Sequence, residues 1–224
     1  MPVEDFESLI KSKEIKILGT KKELINTKNR TTVKIKAKEN AVESIPDVED
    51  RLITNGRCYS IVEAETKIMK DNTGLYCIRL LNRSCLPERY QTILDNRTHR
   101  IIYIGKAEGQ FLYDRFLQEL RAVGHGTFFR SIGAVLGFLP PEGSLFGKRN
   151  QNNYKFSIEV KNEIINWINS NLEISWCSYE GDFSVERKLL NKYTPLLNDT
   201  HNPFALKELR DDKEKCRIYA RGNK

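Results

Sequence analysis

Apolar positions in this chain are arranged in two ways from residue 74 onward. Some form short unbroken runs, and others recur every three or four residues. GLYCIRLL (74–81) is a β-rich run opened by glycine, and RIIYIGKAEG (100–109) places a second strand around Ile101, Ile102 and Ile104. The polar stretch between them predicts a hairpin with a long loop. In EGQFLYDRFLQELRAVG, Leu112, Tyr113, Phe116, Leu117 and Leu120 share one face at helical spacing. Thr127 is a candidate cap for a helix over FFRSIGAVLGFL, ended by Pro140 and Pro141. After the loop PEGSLFGKRNQNNYK come a helix (SIEVKNEIINWINSN) and a third strand (LEISWCSYEG). A helix over DFSVERKLLNKY follows, with Asp182 or Ser184 as cap, and then the irregular TPLLNDTHNP. The order strand, strand, helix, helix, helix, strand, helix predicts a small α/β (α+β) domain in which a three-stranded antiparallel sheet is flanked by helices.

Residues 1–58 read differently. MPVEDFESLIKS predicts a short helix, IKILG and TTVKIKA alternate like strands, and ENAVESIPDVEDR reads as polar loop or short helix. The expected organisation is an accessory segment over 1–58, a main domain over 59–202 and a basic C-terminal helix over 203–224. Hydrophobic residues make up 39% and charged residues 30% of the 224, the balance of a soluble globular chain. No apolar run approaches the roughly 18 residues of a membrane span. The acidic start lacks a signal-peptide layout, so the chain reads as cytoplasmic. The net charge of +7 tilts the partners toward polyanions, although the cations are interleaved with acids. The five cysteines are scattered and show no CxxC spacing, which argues against zinc and against a disulfide framework.

Four side chains stand out. On a helical wheel, Glu186 falls within the apolar face made by Val185, Leu189, Leu190 and Tyr193. A carboxylate there costs several kcal/mol unless it is satisfied, so it sits at the edge of the stripe, pairs with a cation or binds a metal. Arg115 lies at the margin of its helix's apolar face, where Glu119 is an i,i+4 partner. Tyr76 and Tyr103 are phenols inside apolar strands, which are core tyrosines or point at something. Each lies two residues from a glycine, Gly74 and Gly105, and Lys106 follows the second glycine.

GLY at 74–76 followed by YIG at 103–105 resembles the GIY-YIG nuclease superfamily. The resemblance extends to an arginine on the next helix (Arg115), a glutamate on the helix after the third strand (Glu186), and an asparagine after a proline in PLLN (Asn198). One position departs from it. Many relatives carry His or Tyr one turn after the arginine, where this chain has Glu119, with His125 further on.

The resemblance implies a metal-dependent DNA endonuclease. Glu186 would bind one divalent cation, Mg²⁺ or Mn²⁺, and Arg115 the scissile phosphate. Tyr103 or Tyr76 would orient the attacking water and accept its proton; Lys106, which would lower the pKa of Tyr103, favours Tyr103 as base with Tyr76 as its hydrogen-bond partner. Asn198 would position the metal side or the phosphate. Gly74 and Gly105 would let the backbone turn tightly and approach the substrate. Arg130, Lys148, Arg149, Lys215, Arg217 and Arg221 are candidate DNA contacts, and cutting both strands would call for two copies on DNA. The alternatives are a nucleic-acid-binding module of the same fold without cleavage, and an interaction domain whose tyrosines only pack.

Overall fold

The structure, a computed structural model, describes residues 44–222. The helix and two strands expected before residue 44 lie outside the described residues. The chain enters with α1 (Ile45–Glu49), closed by a Ser44–Asp47 capping box and continued by a wider π-type turn, Asp50–Thr54. Then come β1 (Tyr59–Ser60), α2 (Ile61–Lys67), β2 (Gly74–Leu80), a 3₁₀ turn (Arg83–Cys85), α3 (Glu88–Asp95) and β3 (Ile101–Ala107). The remaining elements are α4 (Leu112–Arg121), α5 (Thr127–Val135), α6 (Ile158–Asn171), β4 (Leu172–Ser178), α7 (Val185–Tyr193) and α8 (Lys207–Arg221).

Among the described residues the sheet has four strands, not the three expected, in the order β1-β4-β2-β3, and every pair is antiparallel. The additional strand, β1, has only two residues and is too short to carry an alternating pattern. The class, an antiparallel sheet flanked by helices, is as expected. The long connection between β2 and β3 is not a bare loop. It holds α3, anchored through the buried Tyr90 and Leu94.

Helices cover both faces of the sheet. On one side Tyr76, Ile78, Leu80, Ile102 and Ile174 meet α4, α5 and α6 through Phe116, Phe128, Ile132, Ile164 and Ile168. On the other, Leu75, Cys77, Ile101 and Ile104 meet α1, its π-type turn and α7 through Val48, Leu52, Leu189 and Leu190. This is why β2 reads as a continuous apolar run: it is flanked by β3 and β4 and buried along its whole length. Residues 44–58, expected within the accessory segment, contribute Val48 and Leu52 to this core and fall in the same compact unit as the sheet. The buried Arg79 ties α1 down. It donates to the Leu52 and Ile53 carbonyls at 3.1 and 3.3 Å and to Ser175 Oγ at 2.7 Å. Those carbonyls lie at the C-terminal end of the helical segment, where partial negative charge gathers.

Strand β3 is an edge. Tyr103 pairs with Ile78 and Ile101 with Arg79, so Ile102 is an extra residue that bulges opposite the Ile78/Arg79 step of β2. The outer side of β3 is closed by the segment after α7: Leu197 N–H donates to the Ile102 carbonyl at 2.7 Å, and the Asn198 amide pairs with Ile104. Among the described residues no helix is long and apolar enough to cross a membrane.

Candidate active site

The open cavity of interest lies at the β3 edge, where helices from the two faces of the sheet meet. It measures about 350 Å³ and is lined by Tyr103, Lys106, Arg115, Glu186 and Asn198, among others. Strand β3 supplies Tyr103 and Lys106, α4 supplies Arg115, α7 supplies Glu186, and the segment closing the edge supplies Asn198. Tyr76 does not line the cavity, but its hydroxyl accepts a hydrogen bond from Arg115 Nε at 3.3 Å.

The two tyrosines are stacked, with ring centroids 6.1 Å apart. The register explains how. Tyr76 faces Gly105 across the β2–β3 ladder, and its phenol lies over the glycine. A Cβ at 105 would collide with the Tyr76 hydroxyl, and a Cβ at 74 would collide with the Cys177 carbonyl on β4. Both glycines therefore serve close side-to-side packing within the sheet, not the tight turning expected of them.

Burial holds the phenols of Tyr76 and Tyr103 well above the usual tyrosine range, and the nearby charge of Glu119 pushes in the same direction. The cation that pulls Tyr103 down is Arg115, not Lys106 as expected. The Lys106 ammonium is engaged with acids instead, 2.5 Å from Glu108 and 3.8 Å from Glu186.

Glu186 occupies the first turn of α7, whose buried face is Val185, Leu189 and Leu190, as the wheel predicts. Its side chain is 16% exposed, and Lys106 is its one ion-pair partner among the described residues. Burial raises its pKa, against the pull of Lys106 and Arg115. Among the described residues no three His, Cys, Asp or Glu side chains group as a metal cage. A lone, poorly paired carboxylate suits a hard ion such as Mg²⁺, which keeps several waters and takes further oxygens from a phosphate. It does not suit a closed zinc site.

Arg115 is held on three sides. Besides Tyr76, its Nη1 donates to Gln118 Oε1 at 3.2 Å, and its Nη2 stands 2.6 Å from Glu119 Oε1 as an ion pair without hydrogen-bond alignment. The other Glu119 oxygen accepts the backbone N–H of Phe128 at 2.6 Å. Glu119 thus satisfies the start of α5, a role expected of Thr127, which makes no capping bond. It is fully buried and does not line the cavity. His125 lies in another cavity with Lys148 and Lys155.

Asn198 is engaged on both sides of its amide. Its Oδ1 accepts the Ile104 N–H at 3.0 Å and its Nδ2 donates to the Ile104 carbonyl at 2.8 Å. It acts as a surrogate strand residue that holds the YIG strand.

Residues 74–218 match the family model of the GIY-YIG catalytic domain. The chain belongs to the GIY-YIG family. Neither the curated proteins nor the solved structures hold a match to it. Membership makes this a nuclease domain by family. The GIY-YIG cavity also contains residues that the sequence reading missed: Glu108, Gln110, Thr127, Asp199, Thr200 and His201. His201 and Asp199 directly follow Asn198 in NDTH, and that adjacency was the available signal. Thr127 and Gln110 carry no such mark.

The cations expected to touch DNA fall into two groups. On α8, Lys215 pairs with Asp212 at 3.5 Å, while Arg217 and Arg221 both pair with Glu214 at 3.0 and 2.9 Å. Arg130, Lys148 and Arg149 have no ion-pair partner among the described residues.

Proposed function

We propose that this chain is a divalent-metal-dependent DNA endonuclease whose active site is the cavity at the β3 edge. The observation that carries the reading is Glu186: a desolvated, under-paired carboxylate that shares one cavity with a tethered arginine and a strand tyrosine. Bound at Glu186, Mg²⁺ or Mn²⁺ would supply Lewis-acid charge for the departing oxygen.

Arg115 receives the scissile phosphate. A guanidinium carries five N–H donors, and its contacts to Tyr76, Gln118 and Glu119 leave donors free to aim into the cavity. Because those contacts fix its plane in advance, little reorganisation is needed when charge builds on the phosphoryl oxygens. Tyr103 orients the attacking water and accepts its proton. Its high pKa makes it a reluctant base, and Arg115 is the positive charge that eases the transfer. Tyr76 keeps Arg115 in place, and Asn198 keeps the Tyr103 strand in place, so both are positioning residues. Lys106 offsets the charge of Glu108 and Glu186.

Relaxation of supercoiled plasmid tests the reading. Nicking is expected with Mg²⁺, none with EDTA, and none by Glu186→Gln. Equal nicking by the wild type and the variant would overturn the assignment of Glu186. One observation favours a second reading, a nucleic-acid-binding module without cleavage: Glu119 competes with phosphate for Arg115. That reading predicts DNA retention in a gel shift at low salt with no nicking under any divalent ion.

A further inference from the structure

Three consecutive residues, two leading into α5 and the first of the helix itself, line three different cavities. Thr127 belongs to the active-site cavity, Gly126 to one of about 220 Å³, and His125 to one of about 270 Å³. The last two share Lys155. A chain of cavities therefore leads away from the active site along the start of α5.

The middle cavity is walled by Phe129, Tyr154 and Phe156, and the ionisable side chains lining it besides Tyr154 are Arg130, Lys155 and Lys161. No carboxylate lines it, and none lines the cavity of His125 and Lys148. Arg130 is half-buried, yet its guanidinium makes no hydrogen bond or ion pair among the described residues. Only its backbone carbonyl is engaged, accepting from the Tyr154 hydroxyl at 3.3 Å. Burial lowers its pKa against the pull of the buried Glu119, and an arriving anion would add to that pull. The α8 cations Lys215, Arg217 and Arg221 differ, each having an acid beside it.

We propose that the Arg130–Lys155–Lys161 cavity is a second phosphate subsite, which holds a backbone phosphate of the nucleic-acid strand at a distance from the scissile one. This deepens the nuclease reading and rests on it. Arg130 supplies the planar fork that fits a phosphate, and Lys155 and Lys161 supply point charges. Such a contact positions the strand without reading bases.

The test measures binding, not cleavage. The full-length Glu186→Gln protein is titrated against a fluorescent DNA duplex in EDTA, from low to physiological salt, and log K is plotted against log salt concentration. Adding Arg130→Gln or Lys155→Gln is expected to reduce the slope by about 0.9 each, one released counterion. Lys192→Gln, which removes a cation paired with Glu49 at 2.6 Å, is expected to leave the slope unchanged. Lys155 is exposed, so its variant keeps the test informative if Arg130→Gln fails to fold. Unchanged slopes in both cavity variants would overturn the proposal. So would saturable binding of inorganic phosphate that Arg130→Gln abolishes while DNA binding stays intact, since the cavity would then serve a free anion. Wild-type protein that fails to nick plasmid would defeat the nuclease reading alone, because the slopes are measured without cleavage.

Discussion

Glu186 on α7 and Asp212 on α8 are both withdrawn from water, with side chains 16% and 5% exposed, but their surroundings differ. Asp212 is encircled: Arg89 contacts it, the Tyr90 hydroxyl donates to it at 2.6 Å, and Lys215 lies 3.5 Å away. Glu186 has one ammonium at 3.8 Å, and that ammonium sits closer to Glu108. A desolvated acid held by several close partners is a structural joint. A desolvated acid left short of partners gains from any positive charge brought near it. Glu119, buried but engaged by Arg115 and the Phe128 amide, belongs with Asp212.

The largest expected effect tests the Glu186 side of this contrast. Glu186→Gln should lower plasmid nicking by at least about 10²-fold, the scale of one lost transition-state contact, with circular dichroism unchanged. Asn198→Ala comes next. Although Asn198 lines the cavity, it should behave like a joint, because its loss strands both backbone groups of Ile104. A loss of roughly 2–3 kcal/mol in urea-unfolding stability is expected from two unanswered polar groups. Asp212→Ala should cost about 2 kcal/mol, chiefly by orphaning the buried Tyr90 hydroxyl, while nicking by the folded fraction is kept. If Asp212→Ala removed nicking and left stability intact, the two acids would have exchanged roles.

The smallest effect concerns pH. Burial raises the Glu186 pKa above its ordinary value of 4.5. The folded, metal-free protein therefore binds more protons than the unfolded chain just above that pH, and this carboxylate's contribution to stability falls as pH rises. Glu186→Gln should then melt slightly higher than wild type at pH 7, with the gap closing toward pH 4.5. A gap that widened on acidification would reverse the sign of the assignment.

The periodic parts of the fold were legible. The runs at 74–80 and 101–107 and the amphipathic stretches of α4 and α7 announced themselves because one or both sides meet a core. Strand β1 is too short to show a pattern, and α3 buries only Tyr90 and Leu94 within a polar connection. In the site, the motif located Tyr76, Tyr103, Arg115, Glu186 and Asn198 but could not say what each touches. The Asn198 partner lies 94 residues away, and the group that caps α5 comes from the preceding helix. Lys106 beside Tyr103 in sequence suggested an electrostatic partner, but in space Lys106 turns to Glu108 and Glu186.

The fit of Tyr76 over Gly105 has an evolutionary consequence. The ring on one strand fills the space that a side chain on the next would need, so the two tripeptides form a single interlocking unit. Neither position is free to drift alone: a methyl group gained at 105 must be matched by bulk given up at 76, and that exchange would release the arginine that the phenol restrains.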